Sequence, residues 1–580
     1  MLNIAAVWHN LIVGCSRFFA QLRNDASALA TLRCLGLTVA FLTFLNLVDN
    51  LCLYYAVLNK TIGNPFLQSQ WFYLLLAAPI AFLGRAARFY AILILLLTSL
   101  IVGCDIFLAL AFSTRIGSDI VEVIYASSHT ELGEFTVHFS RWEIWSGSLL
   151  FLLVLALVLW FACRRRTAFK PVFALLALAL ALPCSIDSLR LAVKEPKPWD
   201  EILRRNVVTE LFFCFYHYRE QNLELKNALQ NPRLPSRLQR IDNGDILGIV
   251  IIGESVSRSH MSLFGYPRPT SPRLTAMRNE LIVFDNVISS FAQTAVSLMR
   301  VFTIISDRSD GINCSLVNLC SNTGFYTEFI SNQYRWGTSD NSTSLIFRSV
   351  DRREFLTETN TRGSTDANII PALQQRLPAV ANRPAVFFLH LIGNHFSYNR
   401  RYPESFNRFK QHRDDITQNL SHERARILNE YDNAILYNDT VIADLIEKVR
   451  ATGRPAFVLY FSDHGEPVFE DGVTNIRHSE STSRYVYEVP MILWLSPQYK
   501  ARFPRLAAEA AANAAKPYQT NDLTYGLAAL LRLSYDAFPD HKNIFSASYR
   551  PRPRYIAGQD YDRLYPAKDD FKKLFGKKAD

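Results

Sequence analysis

Apolar positions along the 580-residue chain are segregated. Five long apolar runs crowd the first third, at about 35–58, 71–84, 90–112, 146–163 and 172–186. A helix crossing a bilayer core takes about 20 apolar residues, so these runs predict five membrane spans, the second and fifth short. Beyond residue 186 the pattern changes. Short all-apolar runs at 246–252, 385–392 and 456–461 predict strands buried on both faces. Over 424–450 the apolar residues Ile427, Leu428, Tyr431, Ala434, Ile435, Val441, Ile442, Leu445, Ile446 and Val449 recur at three and four, which predicts a helix that Gly453 closes. Strands alternating with helices imply an α/β domain with a mostly parallel central sheet flanked by helices. The expected organisation is a transmembrane anchor at 1–190, a connector at 191–244 and a soluble domain at 245–580. The connector segment WDEILRRNVVTELFFCFYHYRE reads as an amphipathic helix. Its Phe212, Phe213, Phe215, Tyr216 and Tyr218 either rest at a lipid interface or pack on the soluble domain.

Composition sharpens this picture by what it excludes. With 49% apolar and 20% charged residues the chain is neither disordered, collagen-like nor a small disulfide framework. The formal charge of +10 is diffuse, with no aromatic-interleaved basic patch, so it points to membrane topology and not to nucleic acid. Arg17, Arg23, Arg33, Arg85, Arg88, Arg164, Arg165, Arg166 and Lys170 fall in segments that share one side if there are five spans. The loop at about 113–145 carries Asp119, Glu122, Glu131, Glu134 and Glu143. The positive-inside bias therefore places the N-terminus in the cytoplasm and the soluble domain outside. No cleavable signal peptide is expected; the first strong span directs insertion. Asp49 and Asp105 lie inside spans, either as functional carboxylates or as groups near a span end that reach headgroups. Seven of nine cysteines precede Asp245; the other two, Cys314 and Cys320, sit close together in GINCSLVNLC. In an oxidising compartment that spacing favours a local disulfide over two buried thiols.

The three predicted strands end in polar residues: Gly253-Glu254, Gly393-Asn394-His395 and Ser462-Asp463-His464-Gly465-Glu466. Ligands of open α/β sheets bind outside the carboxyl ends of the strands, so Glu254, His395, Asp463 and His464 are expected to converge. Two carboxylates and an imidazole form a zinc ligand set that leaves one position for a nucleophile or substrate. A single strand-end Asp-His is more often a turn than a ligand, and no H-E-x-x-H motif is present. Three such endings in one domain carry more weight.

The segment GESVSRSHMSLFGYPRPTSP at 253–272 resembles the signature of the membrane-bound phosphoethanolamine transferases of the alkaline phosphatase superfamily. The resemblance extends through LIGNH (391–395), RYPESF (401–406), YDNAILYND (431–439) and FSDHGE (461–466), and covers the five-span anchor. It implies an alkaline-phosphatase-like domain in the periplasm, anchored in a bacterial inner membrane. It implies a zinc ion held by Glu254, Thr294, Asp463 and His464. It implies Thr294, in Thr294-Ala295-Val296-Ser297, as a nucleophile that carries phosphoethanolamine from phosphatidylethanolamine to a lipopolysaccharide or other envelope glycan. His395 and His478 match positions where the family places histidines around the phosphate. The chain lacks the Cys-Gly before the threonine and the Val-Pro-Cys after it that mark lipid A-modifying relatives, having Ser290-Phe291-Ala292-Gln293 and Leu298-Met299-Arg300 instead. That departure points to a core sugar or another periplasmic glycan. A phosphoglycerol transferase shares the anchor, the zinc and the threonine, and a silent envelope sensor shares the fold. A sulfatase needs a C/S-x-P-x-R segment, which is missing near Thr294.

Overall fold

The computed structural model describes residues 26–53, 72–73, 75–82, 86–112, 116–117, 121, 206–305, 311–334, 342–357, 365–411, 414, 416–470 and 483–566. These residues divide into two compact units that meet in sequence between Tyr218 and Arg219.

The first unit holds two long helices, α1 (Ala26–Leu53) and α2 (Ala87–Phe112). Windows Ala30–Asp49 and Ala87–Leu108, with mean hydropathies of 1.7 and 2.6, are long and apolar enough to cross a membrane. Val39, Leu42, Ile94 and Val102 are buried in one cluster, while Phe89, Leu97 and Leu100 point outward. A helix that is apolar all round suits a lipid surface. Asp105 is buried, and its Oδ1 accepts the backbone N–H of Ile116 at 2.5 Å. Within 71–84 the described residues are short helical stretches and a 3-10 turn at Ala78–Ala81 entered through Pro79. The runs at 146–163 and 172–186 lie outside the described residues. The connector is a helix, α3 (Val207–Gln230), on which Phe212 and Tyr216 are 67% and 58% exposed.

The second unit is built on one seven-stranded sheet. Its strands are β1 (Leu247–Gly253), β2 (Leu281–Phe284), β3 (Tyr326–Tyr334), β4 (Arg352–Thr357), β5 (Ala385–His390), β6 (Ala456–Ser462) and β7 (Met491–Leu495). The order across the sheet is β2-β7-β6-β1-β5-β3-β4. The five strands from β6 to β4 run parallel, and β7 is antiparallel to both of its neighbours. The sheet is thus mixed, with the expected parallel pairing confined to its centre and one flank. Every residue of β1, β5 and β6 is buried, as both-face coverage demands.

Two helices position the site. α4 (Thr294–Phe302) buries Leu298, Val301 and Phe302 against the sheet. The Phe302 ring lies 5.6 Å from that of Phe388 on β5 and 6.2 Å from that of Phe461 on β6. α5 (His422–Arg450) starts at Ser421, whose Oγ accepts the N–H of Arg424 at 3.3 Å. Its inner face carries polar residues as well as apolar ones; Asn429, Asp432, Asn433, Asn438 and Asp439 are all buried.

The disulfide favoured by sequence does not form. Cys314 and Cys320 are both free thiols in the apolar core. Cys314 sits in the short strand Ile312–Ser315 and Cys320 in the helix Leu316–Asn322. A reciprocal capping box between Ser315 and Asn318 turns the chain from one into the other. Burial pushes the Cys314 thiol up to about 12 and the Cys320 thiol higher still, which suppresses the reactive thiolate. Alkylation of the denatured, unreduced protein is therefore expected to modify both residues in peptide mass spectra; a peptide linking Cys314 to Cys320 would contradict this packing.

Candidate metal centre

Strand register brings the site together. Gly253 lies opposite Ser462 and Ile252 opposite His390, so the residues after β1, β5 and β6 leave the sheet at one edge. Backbone bonds extend the alignment past the strands: Asp463 N–H donates to Gly253 O at 3.1 Å and Asn394 N–H donates to Glu254 O at 2.9 Å. At Gly393 (φ 49°) a Cβ would stand 2.7 Å from Glu254 O, so only glycine allows this close approach.

Glu254, Asp463 and His464 each offer a ligand atom, all within 4.8 Å of one another. His464 Nε2 is 3.5 Å from Glu254 Oε1 and 3.5 Å from Asp463 Oδ2. Thr294, at the start of α4, donates its hydroxyl to Glu254 Oε2 at 3.0 Å, and its Oγ1 lies 3.4 Å from His464 Nε2. Ser297, one turn on, donates its hydroxyl to Asp463 O at 2.6 Å and ties this helix to the loop after β6. His395 is half-buried on the loop after β5, and its imidazole is near enough to act on the Glu254 charge. His478 lies outside the described residues.

The electrostatics are those of two carboxylates in one buried space. Burial alone would raise Glu254, but the imidazoles of His464 and His395 and the Ser255 hydroxyl bond hold it down at about 2. Burial and the neighbouring Glu254 charge push Asp463 up to about 7. Burial would lower His464, yet Asp463 and Glu254 raise it. Asp463 Oδ1 accepts the N–H groups of Ser255 and His464 at 3.1 and 2.7 Å. Its buried Oδ2 has no hydrogen-bond partner among the described residues. An orphaned carboxylate oxygen beside a second carboxylate and an imidazole fits a divalent cation with mixed N/O preference, such as zinc.

Several positioning residues escape sequence reading. Gln333, near the end of β3, donates Nε2 to Glu254 Oε2 and to Leu391 O at 3.0 and 3.1 Å. His390 ends β5, fully buried against Phe329; burial lowers it to about 4 against the opposing pull of Glu254. Its place at the end of an all-apolar strand was a signal that could have marked it. Asp366 accepts the N–H groups of Ile392 and Gly393, both at 2.9 Å. Tyr431, on α5, accepts the N–H of Ser257 and donates to Ser255 O at 2.7 Å, which holds Ser255 in the left-handed region at φ 58°.

Behind the site, His260 bridges two elements. Nδ1 meets Asp432 of α5 at 2.8 Å and Nε2 meets Glu470 at 2.6 Å. Arg268 adds a 2.6 Å bond to Asp432. Burial would lower His260, but the Glu470 and Asp432 carboxylates raise it to about 9. A folded-state value above the unfolded 6.5 means the protonated ring stabilises the fold fully below pH 6.5 and ceases to as pH rises through about 9. The span corresponds to about 3 kcal/mol. Thermal unfolding of the wild type should therefore fall between these pH values relative to His260→Gln, whose curve lacks that component. Parallel curves for the two proteins would remove the charged bridge from the account.

Residues 247–533 match the sulfatase family. The chain is similar to the phosphoethanolamine transferase EptC of Escherichia coli (strain K12), with 29% identity over 404 residues, or 66% of this chain and 67% of that one. The crystal structure of the C-terminal periplasmic domain of the Escherichia coli EptC, in complex with Zn, is 28% identical. It superposes with a TM-score of 0.54, covering 57% of this chain and 97% of its own. The integral membrane lipooligosaccharide phosphoethanolamine transferase A (EptA) from Neisseria meningitidis shares the fold over 89% of this chain and 99% of its own. Its TM-score is 0.61, at 20% identity.

Proposed function

We propose that this chain, whose residues 247–533 form a sulfatase-family domain, transfers phosphoethanolamine from phosphatidylethanolamine to a lipopolysaccharide, at a core sugar or lipid A. The observation that carries the reading is the Thr294 hydroxyl held at 3.0 Å by Glu254 and 3.4 Å from His464, at the first turn of α4.

Glu254, Thr294, Asp463 and His464 would hold a zinc ion, which when bound lowers the pKa of a coordinated hydroxyl and offsets charge on phosphoryl oxygens. Glu254, itself a weak base at about 2, orients the Thr294 Oγ1 lone pairs. Thr294 Oγ1 gives up its proton to solvent and attacks the donor phosphorus; its bond to phosphorus forms as the bond to the diacylglycerol oxygen breaks, and Oγ1 regains a proton from solvent when the acceptor displaces it. Thr294 stands at the N-terminal end of α4, whose first-turn backbone N–H groups suit phosphoryl oxygens. His395 gives a proton to the leaving oxygen and later takes one from the acceptor hydroxyl, as suits an imidazole at neutral pH. His478 steadies the phosphate. The acceptor hydroxyl then displaces phosphoethanolamine from Thr294, which completes a two-step exchange.

The anchor serves this chemistry by keeping the site near its lipid donor. It occupies 1–190 as five spans with a cytoplasmic N-terminus, followed by the connector at 191–244 and a periplasmic catalytic domain at 245–580. The long apolar helices α1 and α2, and the basic segments around them, support this arrangement.

Thr294→Ala is expected to lower transfer about 10³-fold or more, and to abolish a phosphoethanolamine adduct on the peptide that contains residue 294 after incubation with donor alone. Retention of wild-type transfer by this variant would sink the nucleophile assignment. Chelation should remove activity in the wild type and added zinc should restore it; activity indifferent to a strong chelator would refute the zinc requirement.

A further inference from the structure

We propose that a polar cavity on the loop after His395 seats a neutral sugar unit of the acceptor glycan. This rests on the transferase reading and names where the acceptor is held.

The cavity, about 420 Å³, lies between the segment that includes RYPESF and the first turns of α5. That volume falls within the roughly 300–1,000 Å³ of small-molecule sites. None of Glu254, Thr294, Asp463 or His464 lines it. It nevertheless adjoins the reacting centre along the chain. The buried Arg401 donates Nε to His395 O at 2.8 Å and Nη2 to Phe396 O at 2.5 Å. Those bonds, with Ser397 at φ 66°, fold 395–401 into a tight turn from His395 to the cavity wall.

Three features define the occupant. The first is charge. Lys410 Nζ pairs with Glu404 Oε1 at 3.0 Å and Arg426 Nη1 with Glu430 Oε1 at 2.6 Å, so the lining lysine and arginine are each balanced by a lining carboxylate, and His422 and Tyr402 are the other titratable groups in the lining. A cavity with balanced charge does not select a phosphate monoester. It presents carboxylate oxygens and N–H groups, which suit hydroxyls. The second feature is the pair of aromatic linings, Tyr402 and Phe409, which offer apolar faces to the C–H side of a sugar ring. The third is an unsatisfied polar group. Asn429 lines the cavity and is 4% exposed. Its Nδ2 donates to Gln411 O at 3.0 Å, while the buried Oδ1 accepts no hydrogen bond among the described residues. A buried acceptor left unpaired is costly, and a ligand hydroxyl would relieve that cost.

The test uses the full-length protein in detergent and a deacylated lipopolysaccharide core oligosaccharide as probe, with free phosphoethanolamine as the competing probe. Calorimetry should show the oligosaccharide binding to the wild type and about tenfold more weakly to Asn429→Leu. Glu404→Ala, a change on the exposed rim that poses no threat to folding, should weaken it in the same direction. The KM for the oligosaccharide as acceptor should rise by the same factor. Absence of wild-type binding, or equal affinity in all three proteins, overturns the proposal. So does phosphoethanolamine affinity that falls in the variants, which would assign the cavity to the donor headgroup, and so does a fall in kcat at unchanged KM. Binding needs no turnover. A protein that binds the oligosaccharide through these residues yet transfers nothing would end the transferase reading and leave the cavity assignment standing.

Discussion

The structure turns on two carboxylates buried in one place. Glu254 and Asp463 leave adjacent parallel strands at matched register, so their proximity is a consequence of backbone pairing. Like charges in a low-dielectric interior repel, and burial adds the cost of lost water. The surrounding residues answer that cost. Ser255, Gln333 and Thr294 donate to Glu254, two backbone N–H groups donate to Asp463 Oδ1, and the His464 imidazole stands between the two. Asp463 Oδ2 is left over, and a cation is the natural counterpart to it. A site that strains its own electrostatics in this way is organised for a ligand.

The helix α5 supplies the second half of the arrangement. An ordinary amphipathic helix would bury only apolar side chains, but this one turns Tyr431, Asp432, Asn433, Asn438 and Asp439 inward. Tyr431 fixes the loop after β1, and Asn438 donates to Asn394 Oδ1, beside His395. Asp439 accepts the N–H groups of Arg273 and Leu274, and Asp432 holds His260, Tyr266 and Arg268. Buried hydrogen bonds from this helix thereby hold the loops in place. The same helix then carries Asn429 and Glu430 to the polar cavity. One element thus couples the loops after β1 and β5 to the surface proposed to hold the acceptor.

Much of this was legible in the chain. The runs at 246–252, 385–392 and 456–461 became β1, β5 and β6, because a strand buried on both faces has to be apolar throughout. The periodicity at 424–450 became α5. The polar strand endings marked Glu254, Asp463 and His464. β3 and β4 were hidden because their polar residues find partners only in the folded sheet: Glu328 between Arg352 and Arg376, Asn332 on Asp366, Gln333 on Glu254. The bridge between Cys314 and Cys320 that their spacing favours is absent because spacing along the chain carries no information about a capping box that sends the two thiols into a strand and a helix.

What the sequence by itself determined was periodicity, hydropathy and residue chemistry, since these are local and follow from the side chains in order. That was enough to expect membrane spans, two of which are the long apolar helices α1 and α2, an α/β domain and the residue types of a candidate metal centre. Tertiary structure alone decided register, the mixed sheet edge, the contact of Thr294 with Glu254 forty residues away in sequence, and an Asp463 Oδ2 that accepts no hydrogen bond among the described residues. Those depend on which strands pair and on which buried groups find partners. They are properties of the whole packing, and no window of the chain contains them.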